Sequence, residues 1–180
     1  MKHIPNLLTL LRMVFIPFFI YYFIQDELLV AFSLFIIASV TDYFDGFLAR
    51  KYEVISNFGK IMDPLADKLL VLSALALLCY GKHGYLSGWI FIIITLREII
   101  ITILREIYKK KNIIMAANKW GKLKTVTQMV GLTLSLLVLA VNTNFLAEYS
   151  LYLNIYFWAV AIVTILSGFS YLKNIKEIFN

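Results

Sequence analysis

Four aspartates, Asp42, Asp45, Asp63 and Asp67, interrupt a stretch of the sequence whose flanks are strongly apolar. In a helix, Asp42 and Asp45 project from one face because they are three residues apart. Asp63 and Asp67 share a face in the same way, being four residues apart. One charge deep in a membrane helix costs about 2.5–3.5 kcal/mol on insertion scales, and neighbouring carboxylates also repel one another. This aspartate cluster therefore needs a cation to compensate it.

The donor atoms of the aspartate cluster favour hard divalent ions. All-oxygen ligand sets suit Mg²⁺, Mn²⁺ or Ca²⁺, and the absence of nearby His or Cys argues against structural zinc. Four carboxylates suit two ions that share ligands, and paired ions clamp the attacking and leaving oxygens of a phosphoryl displacement. The residues therefore predict metal-assisted phosphoryl chemistry.

Each aspartate also has a structural interpretation. Asp63 precedes Pro64, which is the pattern of a helix N-cap followed by proline at the first helical position. The aspartates of the preceding segment can instead pair with Arg50 or Lys68. Such interpretations explain single residues more readily than a cluster of four flanked by glycines where helices should pack.

The elements that must position the cluster are membrane spans. The chain has 180 residues, 61% of them apolar, with a mean hydropathy of +0.81, above the usual range of soluble domains. A spanning helix needs roughly 20 apolar residues, so about six spans with short loops occupy the whole chain. We predict an all-α integral membrane protein with a single domain, residues 1–180. The predicted spans are residues 7–25, 28–48, 61–80, 86–107, 123–142 and 150–172.

Basic residues set the predicted orientation. If both termini lie inside, Lys82 is the only lysine or arginine in the predicted outer loops, as the positive-inside rule requires. We therefore expect both termini and the aspartate cluster on the cytoplasmic side. The net charge of +6 then reflects contact with anionic lipid and not with nucleic acid.

Other features carry little chemistry. Cys79 is the only cysteine, so no intrachain disulfide can form, and its apolar surroundings predict an inert, packed thiol. The N-terminal apolar run contains Arg12 and lacks a small-residue cleavage pattern, so we expect it to be retained and not removed as a signal peptide. No role is assigned to His3 or His83.

The spacing of the aspartate stretch resembles the signature of the CDP-alcohol phosphotransferase family. Its elements are Asp42, two residues, Asp45-Gly46, two residues, Ala49-Arg50, eight residues, Gly59, three residues, Asp63, three residues and Asp67. The resemblance implies a six-helix membrane enzyme, a homodimer, that moves a phosphoalcohol from a CDP-linked donor to an acceptor hydroxyl and releases CMP. It also implies that the four aspartates hold two divalent cations, Mg²⁺ or Mn²⁺, and that Asp67 is the general base.

A second group of residues is expected to bind the nucleotide of the donor. Gly46 and Gly59 lack side chains that would block the nucleotide, although close helix packing explains them equally well. Arg50 can donate to a phosphate or serve as an ordinary inner-side anchor. Asn6 and Thr9 share a helix face, and local capping is the alternative for Thr9. The nucleotide candidates are Asn6, Thr9, Gly46, Ala49, Arg50 and Gly59.

Three further stretches resemble the bacterial phosphatidylglycerophosphate synthases of that family: IPNLLTLLR from Ile4, REIIITILRE from Arg97 and NKWGKLKTVTQ from Asn118. This implies CDP-diacylglycerol as donor and sn-glycerol 3-phosphate as acceptor, at the bacterial inner membrane. Another acceptor, such as serine or an inositol phosphate, is the alternative within the family. A divalent-cation transporter and a noncatalytic lipid-binding scaffold are the alternatives outside it.

The acceptor is a dianion, so its pocket is expected to be basic. Lys122 and Lys124 open the fifth predicted span and Arg105 closes the fourth at the same level, which makes them the leading phosphate ligands. Lipid headgroup anchoring is the alternative for most basic residues. Arg97 lies inside the fourth span, and we expect it to support the cluster or the acceptor without simply pairing with adjacent Glu98. The acceptor candidates are Arg97, Arg105, Lys60, Lys119, Lys122 and Lys124.

Overall fold

A computed structural model of the protein describes the backbone of residues 4–52, 57–110, 119–141 and 143–179, and the side chains of residues 10–41, 62, 64–108, 119–141, 143 and 148–169. These residues form six helices. The helices are α1 Ile4–Ile24, α2 Leu28–Tyr52, α3 Asn57–Tyr80, α4 Gly88–Lys110, α5 Lys119–Val141 and α6 Thr143–Phe179.

Each predicted span coincides with one of these helices, so the prediction of an all-α chain is confirmed for the described residues. The helix ends differ from the predicted ones. The second helix continues to Tyr52, the third begins at Asn57, and α6 has 37 residues. Hydropathy measures the length of apolar sequence, whereas a helix ends where its backbone hydrogen bonding ends. Polar residues can therefore extend a helix beyond its apolar part.

The start of α3 corrects one interpretation of the sequence. The helix begins at Asn57, so Pro64 lies inside it and Asp63 does not cap it. The N-cap interpretation of Asp63 is therefore wrong. A proline inside a membrane helix is tolerated where neighbouring groups satisfy the backbone carbonyl that it leaves free.

Two helices of the described residues have the length and composition of membrane spans. Lys119–Val141 and Glu148–Phe169 are long and apolar enough to cross a bilayer, with mean hydropathies of 1.6 and 1.7. Leu10–Ile24 and Leu28–Thr41 are shorter apolar segments. Large apolar side chains are exposed along α6, including Phe169 at 65%. Such surfaces indicate lipid contact, because soluble proteins rarely expose large contiguous apolar patches.

The chain divides into two compact units. Unit 1 comprises residues 1–84 and 132–147, and in it α1 packs against α2 and α3, and α2 packs against α3. Its core contains the buried rings of Phe19, Phe23 and Phe35, with ring centroids 6.2 Å apart for the first pair and 5.8 Å apart for Phe19 and Phe35. Small residues are also fully buried, which permits close helix approach. These are Ala31, Ala38, Ala66 and Ala74.

Unit 2 comprises residues 85–131 and 148–180. The Tyr156 hydroxyl donates a hydrogen bond to the Thr127 carbonyl at 2.8 Å, which joins α6 to α5. A Cβ at Gly131 would lie 2.6 Å from a Tyr156 ring carbon, so only glycine fits at this crossing. The Asn154 amide donates to the Tyr85 carbonyl at 3.0 Å, which joins α6 to the segment before α4.

Within unit 1, the turn between α1 and α2 is tied to the segment that follows α3. Asp26 has φ of 64°, a left-handed conformation that Asp and Asn tolerate better than most residues. Lys82 donates to the Asp26 carboxylate, and His83 Nε2 lies 2.7 Å from the other carboxylate oxygen. The Phe23 ring packs edge-on against His83. We call Asp26, Lys82 and His83 the Asp26 clasp, which fixes these ends of α1 and α3 at one level.

The clasp makes a testable contribution to stability. The hydrogen bonds from Lys82 and then from His83 lower the pKa of Asp26 below its usual value of 3.8. The stabilisation is therefore complete only well above the unfolded pKa, from about pH 5, and is lost as the pH falls through the lowered pKa. Asp26→Asn, which keeps the backbone preference, is expected to lower the thermal midpoint at pH 7, and the difference should shrink towards pH 3. Thermal melts of the detergent-solubilised protein across this range measure it. Equal midpoints for both proteins at pH 7 would contradict it, and Glu27→Gln is the matched control.

Candidate active site

The aspartate cluster lies on the two helices that meet at one end of unit 1. Asp42 and Asp45 are in the second half of α2, and Asp63 and Asp67 are in the first half of α3. The two helices pack against each other, and only residues 53–56 connect them. A connection this short keeps the end of α2 near the start of α3. Asp67 has an exposed side chain, while the side chains of the other three aspartates lie outside the described residues.

The nucleotide candidates also belong to unit 1, on the same three helices. Asn6 and Thr9 are in the first turns of α1, and Gly46 is 18 residues into α2. Asn6 lies 18 residues before the end of α1, so it and Gly46 are at similar distances from the Asp26 clasp. Ala49 and Arg50 follow on α2, and Gly59 is near the start of α3. The side chains of all six lie outside the described residues, so their contacts with the nucleotide stay predictions.

One residue that sequence reasoning left without a chemical role is completely buried in unit 1. Arg12 has 0% of its surface exposed and is among the largest fully buried side chains. It lies on α1, which packs against both aspartate-bearing helices. The sequence could have indicated a role for Arg12, because an arginine within an apolar run is costly unless an opposite charge or hydrogen bonds compensate it.

A second group of charges, one buried and two half-buried, lies in unit 2, and it corrects a prediction. Glu98 accepts hydrogen bonds on the same carboxylate oxygen from Arg97 Nη1, at 3.1 Å, and from Lys124 Nζ. Arg97 Nε also donates to the Ser167 hydroxyl at 3.1 Å. The expectation that Arg97 and Glu98 do not pair is therefore wrong. Their backbone positions diverge on the helix, but both side chains are long enough to bend towards a common point that Lys124 shares. We call Arg97, Glu98 and Lys124 the Glu98 triad.

The Glu98 triad divides the acceptor candidates into two kinds. Lys124 is only 4% exposed, and its charge is engaged by Glu98. The other kind has exposed side chains, namely those of Arg105, Lys119 and Lys122. Lys60 belongs to α3 of unit 1, and its side chain lies outside the described residues.

Two polar groups of unit 2 were missed at the level of sequence. Gln128 lies one helical turn after Lys124, is 1% exposed, and its amide nitrogen has no hydrogen-bond partner among the residues that the structure describes. The Thr95 hydroxyl, one turn before Glu98, is also buried without a partner in that part of the chain. Buried amides and hydroxyls are usually hydrogen-bonded, so both positions are candidates to meet a polar ligand.

Comparison with known proteins identifies the family. The family model described as CDP-alcohol phosphatidyltransferase matches residues 2–166. A protein of Rickettsia typhi is 36% identical over 182 residues, which cover 99% of this chain and 100% of that protein. A Bacillus subtilis protein is 36% identical over 186 residues, covering 95% and 94%, and a Haemophilus influenzae protein is 40% identical over 135 residues, covering 72% and 73%. All three are named CDP-diacylglycerol--glycerol-3-phosphate 3-phosphatidyltransferase.

The chain belongs to the CDP-alcohol phosphatidyltransferase family, which confirms the resemblance found in the aspartate signature. It is an all-helical membrane protein of a lipid-synthesising family. Members of this family generally use divalent metal ions. The donor set fits such ions, because four carboxylates lie on two packed helices and Asp63 is inside its helix and not at a cap.

Proposed function

We propose that this protein transfers the phosphatidyl group of CDP-diacylglycerol to sn-glycerol 3-phosphate, giving phosphatidylglycerophosphate and CMP. The observation that carries the proposal is the 36% identity to the Rickettsia typhi enzyme across 99% of this chain. Every residue of the aspartate signature is also present at its spacing, on packed helices. The protein is thus a transferase of phospholipid biosynthesis.

The proposed enzyme is a multi-pass protein of the bacterial inner membrane, with six spans, one catalytic domain and both termini in the cytoplasm. Six helices and the location of Lys82 as the only lysine or arginine of the predicted outer loops support this orientation. The Asp26 clasp then lies on the outer side and the aspartate cluster on the cytoplasmic side, where glycerol 3-phosphate is dissolved. A homodimer is proposed from the family resemblance.

In the proposed site, the aspartate cluster holds two divalent cations, Mg²⁺ or Mn²⁺. When bound, such ions neutralise charge on the pyrophosphate oxygens and on the departing CMP. Asp67, whose side chain is exposed, accepts the proton of the acceptor hydroxyl. The hydroxyl oxygen forms a bond to the phosphatidyl phosphorus, and the bond from that phosphorus to the CMP oxygen breaks. Gly46 and Gly59 leave space for the nucleotide, and Arg50 donates to its phosphates.

The acceptor phosphate is proposed to bind basic residues. Arg105, Lys119 and Lys122 have exposed side chains whose charges can reach a dianion. Arg97 and Lys124 carry two positive charges against the single charge of Glu98, so the Glu98 triad keeps a net positive charge for an anion. Lys60 is a further candidate on α3.

A single assay tests the proposed reaction. Purified protein in detergent micelles with CDP-diacylglycerol, sn-glycerol 3-phosphate and Mg²⁺ is expected to release CMP and form phosphatidylglycerophosphate. EDTA should abolish turnover and added Mg²⁺ or Mn²⁺ should restore it, because the substrates' charge is then compensated again. Faster CMP release with serine or an inositol phosphate would reassign the acceptor. Absence of CMP release together with Mg²⁺ flux into proteoliposomes would favour a transporter instead.

A further inference from the structure

Among the described side chains of unit 1, Arg12 is the charged group that is completely buried. A guanidinium does not lose its proton at any physiological pH, so it cannot escape the cost of burial by becoming neutral. A buried charge is tolerated only when an opposite charge and hydrogen bonds compensate it. The question is therefore which acidic groups of unit 1 lie at the level of Arg12.

Few acidic residues of unit 1 are available to compensate the charge of Arg12. Apart from the aspartate cluster, the acidic residues of unit 1 are Asp26, Glu27 and Glu53. Asp26 and Glu27 are in the turn after α1, and Arg12 is 12 residues before the end of that helix, about 18 Å away along its axis. Arg12 cannot reach them. Glu53 lies outside the described residues.

The aspartate cluster lies at the right level. The Asp26 clasp holds the adjacent ends of α1 and α3 together, and α2 begins directly after the same turn. Asp42 is 14 residues into α2, about 21 Å from this end, and Asp67 is 13 residues before the end of α3, about 20 Å from it. Arg12, at about 18 Å, is within one helical turn of both. Side chains lean towards the N-terminus of their helix, which for α1 is the direction of the aspartates.

We propose that Arg12 is a positioning residue for the aspartate cluster. Its buried guanidinium supplies a permanent positive charge at the level of Asp42 and Asp67, and this charge holds the carboxylates together before divalent ions bind. The inference rests on the metal site of the proposed function. In the metal-free protein, Arg12 thus supplies part of the positive charge that the bound ions supply later.

The charge balance gives a specific consequence. Without Arg12, the four carboxylates at the end of α2 and the start of α3 lose a buried positive charge at their level, so they repel one another more strongly, above all in the metal-free protein. Divalent ions remove this repulsion when they bind. Loss of Arg12 should therefore destabilise the metal-free protein much more than the metal-bound protein, whereas a simple packing defect lowers the stability of both equally.

Thermal melts of the detergent-solubilised protein, in EDTA and in Mg²⁺, test the inference. Arg12→Gln is expected to lower the midpoint in EDTA by roughly 10 °C and in Mg²⁺ by clearly less, so that its Mg²⁺-induced shift exceeds that of the wild type. Arg12→Lys keeps the charge and should show a shift near the wild-type value. Phe19→Leu is the control for packing, since Phe19 is fully buried on the same helix, and it should lower both midpoints equally.

The double variant Arg12→Gln/Asp42→Asn tests the pairing directly. Removing one carboxylate should recover much of the midpoint that Arg12→Gln loses in EDTA, and this recovery decides the question even if Arg12→Gln alone does not fold. Equal losses in EDTA and Mg²⁺, or no recovery in the double variant, would overturn the role of Arg12. A wild-type protein whose midpoint does not respond to Mg²⁺ would instead overturn the metal site itself.

Discussion

Asp67→Asn is expected to lower kcat by about 10³-fold while changing the Kd for CDP-diacylglycerol only a few-fold. The amide cannot accept the proton of the acceptor hydroxyl, and general base catalysis typically contributes 10²–10⁴-fold. The donor is still held by its acyl chains, its nucleotide and the remaining carboxylates, so its affinity changes little. Initial rates at saturating substrates give kcat, and equilibrium binding of the donor gives Kd. The Asp67 side chain is exposed on α3, as a base that meets a dissolved acceptor must be.

Two comparisons make the result specific to Asp67. Glu27→Gln removes an exposed carboxylate from the turn between α1 and α2, far from the cluster, and should leave both kcat and Kd unchanged. The reverse pattern for Asp67→Asn, a large loss of donor affinity with turnover retained, would place the base elsewhere and make Asp67 a ligand only. Raising Mg²⁺ should not restore turnover, because the missing group is a proton acceptor.

Glu98→Gln is expected to destabilise the protein by about 3–5 kcal/mol, which is the usual cost of breaking a buried ion pair from one side. Lys124 is 4% exposed, and without Glu98 its ammonium stays buried but loses the carboxylate that accepts its hydrogen bond. Chemical or thermal unfolding in mild detergent measures the loss. Glu98→Gln/Lys124→Met should regain most of the stability, because it also removes the buried ammonium that lost its carboxylate. A stable Glu98→Gln protein would show that the triad contributes little.

The same variants separate structural support from acceptor binding. If Arg97 and Lys124 serve the acceptor, the stable double variant and Arg97→Leu should raise the KM for glycerol 3-phosphate at least tenfold, because each removes a cationic side chain that donates hydrogen bonds to the acceptor phosphate. If the triad only joins α4, α5 and α6, stability changes and KM does not. An Arg97→Leu enzyme with normal kinetics would refute both roles proposed for Arg97, at the acceptor and at the cluster.

Local sequence determined the helices and the family of this protein. Long apolar runs predict helices because a helix satisfies its backbone hydrogen bonds within one segment, and each predicted span coincides with a helix. The signature from Asp42 to Asp67 is equally local, since its spacing is read along two consecutive helices. The family match over residues 2–166 confirmed what that spacing indicated.

Tertiary structure alone decided which charges are buried and which groups they meet. Sequence spacing suggested that Arg97 and Glu98 diverge. In the structure, however, Arg97 and Lys124, which lies on another helix, both pair with the Glu98 carboxylate. The sequence showed Arg12 only as a charged residue within an apolar run. In the folded chain, its side chain is completely buried in unit 1. The physical reason is that helix periodicity fixes which residues share a face, but the burial and pairing of a long charged side chain depend on the neighbouring helix that this face contacts.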